Sequence, residues 1–164
     1  RLAREAAPED RTYFVPAFTG LGAPYWDSTA TGILCGITRT TGKAEMVRAG
    51  LDCIAYQITD ILKAMEEDAG IPIRELRADG GPTKNSYLMQ FQSDMAGIPV
   101  QVPEAEELSG IGAAYAAGIG LGIYEKEELF VKIKRTAFTP RMENGLVDKK
   151  YIGWKNAVDM VLKK

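Results

Sequence analysis

The residues best suited to ligand chemistry lie in the run Asp-Gly-Gly-Pro-Thr-Lys-Asn at 79–85. The pattern predicts that a strand ends near Asp79 and that a helix begins a few residues later. Because Gly80 and Gly81 carry no side chain, a ligand could approach the backbone at this turn, where the helix N-terminus offers unpaired N–H groups. Asn85 has both a donor and an acceptor, which suits hydrogen bonding to a purine edge or a ribose.

The same stretch also fits a plain structural turn. Two adjacent glycines commonly reverse the chain, and Asn85 or Thr83 could cap the helix that follows. The residues alone therefore leave a ligand-binding loop and a structural turn as open alternatives.

Two other glycine patterns match nucleotide loops only in part. In 36–44, five residues rather than four separate the glycines, and Ala44 stands where a P-loop needs a hydroxyl for magnesium. We interpret this segment as a polar turn from strand to helix, with Thr41 as the helix N-cap. In 118–122 the glycines have the wrong spacing for a dinucleotide fingerprint and lie at the end of a helix, which disfavours a dehydrogenase-like domain that binds NAD.

Histidine is absent from the sequence. Its absence excludes Ser-His-Asp and Cys-His catalysis and most zinc sites, so acid or base chemistry would have to use carboxylates, lysine or tyrosine. The acidic residues Asp52, Asp79 and Asp94 each have a ready role in a helix or a turn. Cys35 and Cys53 lie in apolar segments, which indicates free thiols in a reducing compartment and predicts a cytoplasmic protein.

Length and composition indicate one globular domain. The chain has 164 residues, of which 46% are hydrophobic and 26% charged. The net charge of -2 is spread along the chain, so no basic patch favours nucleic acid. No apolar run reaches the roughly 18 residues that would predict a membrane span. The chain begins with Arg1 and shows no signal peptide, so we expect a piece of a longer protein.

Strands and helices alternate along the sequence. Apolar residues at steps of three and four predict a long helix over 43–69, ended by Gly70, and a second helix over 84–96, ended by Gly97. Strands are predicted at 13–18, 32–38, 75–79, 100–102 and 135–140, and further helices from Ser109, near 125–134, and through Trp154, Val158 and Leu162. The alternation predicts an α/β layer structure with a largely parallel sheet.

Four longer stretches carry a family resemblance. They are FTGLGAPYWD at 18–27, IAYQITDILKAM at 54–65, DGGPTKNSYLMQFQSD at 79–94 and GAAYAAG at 112–118. Together they resemble the FGGY family of carbohydrate kinases, and within it the glycerol kinase branch. Membership implies an actin-like ATPase architecture, in which two ribonuclease-H-like domains close over a cleft and the C-terminal one binds most of ATP. By this resemblance 1–164 is a single α/β domain, the C-terminal one, without its first strands and without the N-terminal domain.

The resemblance also implies roles for individual residues. Gly81 and Asn85 match positions that contact the adenosine part of ATP in this family, and Gly80 shapes the same loop. ATP is therefore the expected cofactor, with Mg²⁺ held through its phosphates and the N-terminal domain. In the family, the groups that bind the phosphates, the polyol and the metal all precede the segment that this chain matches. We therefore expect no catalytic and no metal-binding residue here, and no activity from this part alone.

The function implied for the intact protein is transfer of the γ-phosphoryl group of ATP to a hydroxyl of glycerol or a related polyol. Departures from the glycerol kinase pattern at 82–84 and 107–112 leave open an FGGY kinase for a pentulose or another sugar. A noncatalytic actin-like module is the third alternative. The expected partner is a small polyol or sugar, with no nucleic acid and no membrane. If strands are missing, their neighbours expose pairing edges and apolar surface, so we also expect a homo-oligomer.

Overall fold

The computed structural model describes residues 1–104, 108–125 and 134–162. The strands are β1 (Tyr13–Val15), β2 (Ile33–Cys35), β3 (Leu76–Arg77), β4 (Val100–Pro103) and β5 (Arg135–Phe138), and the helices are α1 (Lys43–Ala69), α2 (Ser86–Ala96), α3 (Leu108–Gly120) and α4 (Asn144–Asp159). Each described element coincides with a predicted one, although most strands are shorter than predicted. The helix predicted near 125–134 falls largely outside the described residues.

The described strands form two small sheets. β1 pairs with β2 in antiparallel orientation, with Tyr13 opposite Cys35. The second sheet has the order β3-β4-β5, in which β3 and β4 are parallel and β5 is antiparallel to β4. The prediction of a largely parallel sheet is therefore wrong for the described strands. The parallel strands β3 and β4 are joined through α2, whereas the loop between β1 and β2 folds the chain directly back.

Helix α1 has its predicted bounds, but its N-cap lies one residue later than predicted. Gly42, not Thr41, is the N-cap, and its backbone N–H donates to Oε2 of Glu45 at 2.9 Å. The other oxygen of Glu45 accepts from the backbone N–H of Ala7 at 3.0 Å, which ties the N-terminal segment to this helix. The Thr41 hydroxyl instead accepts a hydrogen bond within the preceding turn. At the far end Gly70 adopts φ of +66°, the left-handed conformation that ends the helix as predicted.

An aromatic cluster lies where three helices meet. Tyr56 of α1 stacks on Trp154 of α4 with ring centroids 5.3 Å apart, and it meets Phe91 of α2 edge-on at 5.4 Å. Burial of these rings packs α1, α2 and α4 together. The predicted closing helix is thus confirmed, but it ends at Asp159 and leaves Leu162 in the turn beyond.

Helix α3 is built from small and apolar residues, yet most of it is exposed. Just beyond it, the side chains of Leu121 and Ile123 are 75% and 64% exposed. Gly118 is closely packed, because a Cβ at this position would overlap the ring of Tyr124. None of the helices in the described part of the chain is long and apolar enough to cross a membrane.

Candidate functional site

The loop between β3 and α2 has the backbone geometry of an irregular turn. Gly80 adopts φ of +94° and ψ of 179°, a conformation that favours glycine. A 3₁₀ turn then runs over Gly81–Lys84, and Thr83 closes it by donating its hydroxyl hydrogen to the carbonyl of Gly80 at 2.7 Å. The loop is therefore held by its own hydrogen bonds.

Asn85 is the N-cap of α2. Its Oδ1 accepts from the backbone N–H groups of Tyr87 at 3.1 Å and Leu88 at 3.3 Å. This confirms the capping alternative for the carbonyl oxygen. The amide Nδ2 makes no hydrogen bond to another described residue, so it remains available as a donor at the half-exposed end of the helix. The sequence suggested that Asn85 could offer a ligand both a donor and an acceptor. In the structure the oxygen is used for the cap, so the amide donor remains for a ligand.

Both glycines face open space. A Cβ at Gly80 or Gly81 would meet no heavy atom within 4 Å, and both residues are exposed. Gly81 has an ordinary φ, unlike Gly80, so its own backbone does not require glycine. The structure therefore brings Gly80, Gly81 and Asn85 together at an accessible surface that follows β3 and precedes α2. Such a surface can accept a planar or polar group against the backbone, with one amide donor beside it.

The segment 36–44 does not form a phosphate loop. The backbone N–H of Gly42, which would face a phosphate, is bonded to the carboxylate of Glu45. A carboxylate at the N-terminus of α1 supplies the negative charge that the helix dipole favours. The interpretation of this segment as a polar turn is confirmed, with Glu45 rather than Thr41 as the capping group.

Asp94 and Asp52, two of the acidic residues for which the sequence predicts a role in a helix or a turn, have structural partners. Oδ1 of Asp94 accepts from the side chain of Gln90 at 3.0 Å and from the backbone N–H groups of Arg141 at 2.7 Å and Met142 at 3.2 Å. Asp52 accepts from the hydroxyl of Tyr87 at 2.7 Å. Within the described ranges no group of three His, Cys, Asp or Glu side chains could hold a metal ion.

Asp52 gives the chain a pH-dependent stability. Burial raises the pKa of Asp52 from 3.8 to about 6, while the Tyr87 hydroxyl and the charges of Lys150 and Arg48 oppose the rise. The folded chain thus holds this proton more tightly than the unfolded chain. The contribution to stability is complete below pH 4 and is lost as the pH rises through about 6.

We therefore expect the stability of the Asp52→Asn variant, relative to the unsubstituted protein, to increase as the pH rises. The difference in free energy of unfolding should shift toward the variant by up to about 3 kcal/mol between about pH 4 and pH 7. Urea unfolding at several pH values measures it. Asp68→Asn, at an exposed position of the same helix, is the control and should show no such shift. A difference that stays constant with pH for Asp52→Asn would contradict the raised pKa.

The carboxylate of Asp60 forms a buried hydrogen-bonding centre that the sequence did not predict. Oδ2 of Asp60 accepts from Tyr25 Oη and Trp154 Nε1, each at 2.7 Å, and Oδ1 accepts from Tyr151 Oη at 2.6 Å. Lys155 Nζ lies 3.8 Å from the same carboxylate and donates to the Tyr25 oxygen at 2.7 Å. The available signal was an acidic residue one turn after Tyr56, on the buried face of α1. These contacts anchor the loop between β1 and β2.

Comparisons with known proteins agree with this fold. Residues 1–121 match the FGGY family of carbohydrate kinases, C-terminal domain. The chain is 48% identical over 164 residues to the glycerol kinase of Alkaliphilus metalliredigens, covering 99% of this chain and 33% of that protein. It is 52% identical over 149 residues to the glycerol kinase of Petrotoga mobilis, covering 90% and 30% respectively.

A solved structure gives the same result. The crystal structure of Plasmodium falciparum glycerol kinase with ADP superimposes with a TM-score of 0.87 at 33% identity, covering 99% of this chain and 33% of that chain. The chain therefore spans about a third of the length of these relatives. The expected actin-like α/β fold is confirmed, and the chain belongs to the FGGY family of carbohydrate kinases, in the part that matches the C-terminal domain.

Proposed function

We propose that the intact protein is an ATP-dependent kinase that phosphorylates a hydroxyl of glycerol or a related polyol. The observation that carries this proposal is the similarity over nearly the whole chain to proteins named glycerol kinase, at 48% and 52% identity. An FGGY kinase for a pentulose or another sugar and a noncatalytic actin-like module are the alternatives.

Within that enzyme we place the adenosine end of ATP at Gly80, Gly81 and Asn85. The open space over the two glycines supports this placement, because an adenine or ribose could lie directly against the backbone. The free amide of Asn85 can donate to a ring nitrogen or a ribose oxygen. A solved structure of a similar protein contains ADP, which supports a nucleotide as the ligand class.

The phosphates and Mg²⁺ belong elsewhere in this proposal. Phosphoryl transfer depends on positioning the γ-phosphoryl group and on neutralising its charge with metal and basic groups. The three loop residues supply one neutral amide and bare backbone, which suits the nucleoside end. We therefore propose that this part of the protein orients ATP, while other parts bind the polyol, the metal and the reacting phosphate. The chain by itself is then inactive.

A coupled assay of ADP release tests the function. The intact protein, supplied with ATP and Mg²⁺, should turn over glycerol with a higher kcat/KM than xylulose or other sugars. A higher kcat/KM for a pentulose would favour the first alternative. Absence of turnover with any polyol or sugar would favour the noncatalytic module. Turnover by the 164 residues alone would contradict the proposed division of roles.

The compartment and assembly of the protein are also proposals. Two free cysteines, one buried and one half-buried, support a location in the cytoplasm.

The exposed apolar side chains at the end of α3 support self-association, because contiguous apolar surface is usually covered by a partner. We expect light scattering of the purified chain to give a mass above that of one copy. Replacing Leu121 and Ile123 with serine should restore the monomer, and a monomeric parent would contradict the proposal.

A further inference from the structure

A cavity of about 620 Å³ lies between α2, β5 and the first turns of α4. None of Gly80, Gly81 and Asn85 is among its lining residues, so it is separate from the loop assigned to adenosine. Its walls combine two kinds of side chain. Phe91, Phe138 and Met142 provide apolar surface, and basic groups provide charge.

The charge in the cavity is strongly biased. Arg4, Arg48, Arg141 and Lys150 line it, and Asp94 is the single acidic residue among the described residues of its lining. The guanidinium of Arg48 lies 3.7 Å from the carboxylate of Asp10, which does not line the cavity, so the surplus of positive charge comes from Arg4, Arg141 and Lys150. Clefts lined by one sign of charge concentrate ligands of the opposite sign.

Asp94 is engaged in holding the turn after β5. Its Oδ1 accepts three hydrogen bonds, two of them from backbone N–H groups of that turn. Arg141 donates to it through the backbone, so its guanidinium extends from the turn without using this carboxylate as an ion-pair partner. The arginine side chain makes no ion pair within 4 Å with another described residue.

Two of the arginines are fixed in place. Arg48 is buried and ion-paired with Asp10 at 3.7 Å, and its guanidinium donates to the carbonyls of Ala6 at 3.3 Å and Ala7 at 2.7 Å. Arg4 donates to the hydroxyl of Ser86 at 2.9 Å. Positive charges held in position lose less side-chain entropy when a ligand binds than free ones do.

Among the four basic residues of the cavity, Lys150 gives the strongest indication of a bound anion. It is half-buried on α4, and Nζ lies 6.0 Å from the ring centroid of Phe91. Burial lowers the pKa of this ammonium, and the charge of Asp52 only partly opposes the effect. Among the described residues Lys150 has no hydrogen-bond acceptor and no carboxylate within 4 Å. An ammonium withdrawn from water without a direct partner is costly, and an anion in the adjoining cavity would supply one.

We propose that this cavity binds a small organic phosphate monoester. The phosphate lies among the basic groups, and a short apolar or aromatic body lies against Phe91, Phe138 and Met142. A dianion matches several cations from separate elements better than a single carboxylate does. This site is additional to the nucleotide loop and to the proposed phosphoryl transfer.

Phenyl phosphate is a suitable probe for the intact protein, with binding measured by calorimetry. We expect saturable binding that Lys150→Met and Arg141→Gln each weaken at least about fivefold. Lys149→Met is the matched control, because the neighbouring lysine does not line this cavity and loses the same charge. Arg141→Gln preserves the backbone bond to Asp94, so it tests the site even if Lys150→Met alters folding.

Further ligands separate the two parts of the proposal. Inorganic phosphate should bind more weakly than phenyl phosphate, and benzyl alcohol should not compete. Gly81→Val should leave phenyl phosphate binding unchanged, which separates this cavity from the nucleotide loop. The proposal is overturned if phenyl phosphate shows no saturable binding below about 10 mM. It is also overturned if Lys149→Met weakens binding as much as Lys150→Met, or if Arg141→Gln has no effect.

Discussion

Replacing Gly81 with valine in the intact protein is expected to weaken ATP binding by about tenfold to a hundredfold. The added side chain would occupy the open space above the loop, where we place the nucleoside, and such overlap costs about 1–3 kcal/mol. The loop itself should tolerate the change, because Gly81 has an ordinary φ and a Cβ there meets no protein atom within 4 Å. Isothermal titration with ATP measures the effect.

Matched variants separate the ligand from the fold. Gly50→Val in α1 also adds a side chain into open space and should leave the affinity for ATP unchanged.

At Asn85, serine keeps a helix cap but removes the amide donor, whereas alanine removes both. Both changes should weaken ATP binding by about three- to tenfold, but only Asn85→Ala should also lower stability, by about 1 kcal/mol. Undiminished ATP affinity in Gly81→Val and Asn85→Ser together would contradict the assignment of this loop.

The sequence predicted the position of this loop, and it left open whether Asn85 caps the helix or binds a ligand. Two adjacent glycines after a strand indicate a turn without side chains, and the structure has one. Only the oxygen of Asn85 can accept from the N–H groups of Tyr87 and Leu88, so the open choice is whether that oxygen caps α2 or stays free for a ligand. That choice is set by the entry angle of the chain into α2, which no local pattern encodes.

Elements with strong periodicity were predicted best. Helix α1 has its predicted bounds, because its apolar stripe is long and Gly70 provides a stop. The largely parallel sheet was wrong because strand direction depends on long-range pairing, as in β5 against β4. The cap at Gly42 was missed because Glu45 caps from inside the helix and its second partner, Ala7, lies far away in sequence.

The carboxylate of Asp60 also depends on contacts between residues far apart in sequence, and its removal is expected to cost more stability. Its partners come from a loop and from a distant helix, so their convergence appears only in the folded chain. Asp60→Ala is expected to lower the free energy of unfolding by about 3–5 kcal/mol. The change leaves the hydroxyls of Tyr25 and Tyr151 and the indole N–H of Trp154 without their acceptor in the interior. Chemical denaturation of the purified protein measures the loss.

Two further variants distinguish the hydrogen-bonding centre from a general loss of helix stability. Asp68→Ala, at an exposed position of the same helix, should change stability by less than about 0.5 kcal/mol. Tyr25→Phe removes one donor and should cost about 1.5–3 kcal/mol, because its partner is a buried carboxylate. The double variant Tyr25→Phe and Asp60→Ala should cost less than the sum of the single losses, since both remove the same bond. Additive losses, or a loss below about 1 kcal/mol for Asp60→Ala, would show that this carboxylate does not anchor the loop between β1 and β2.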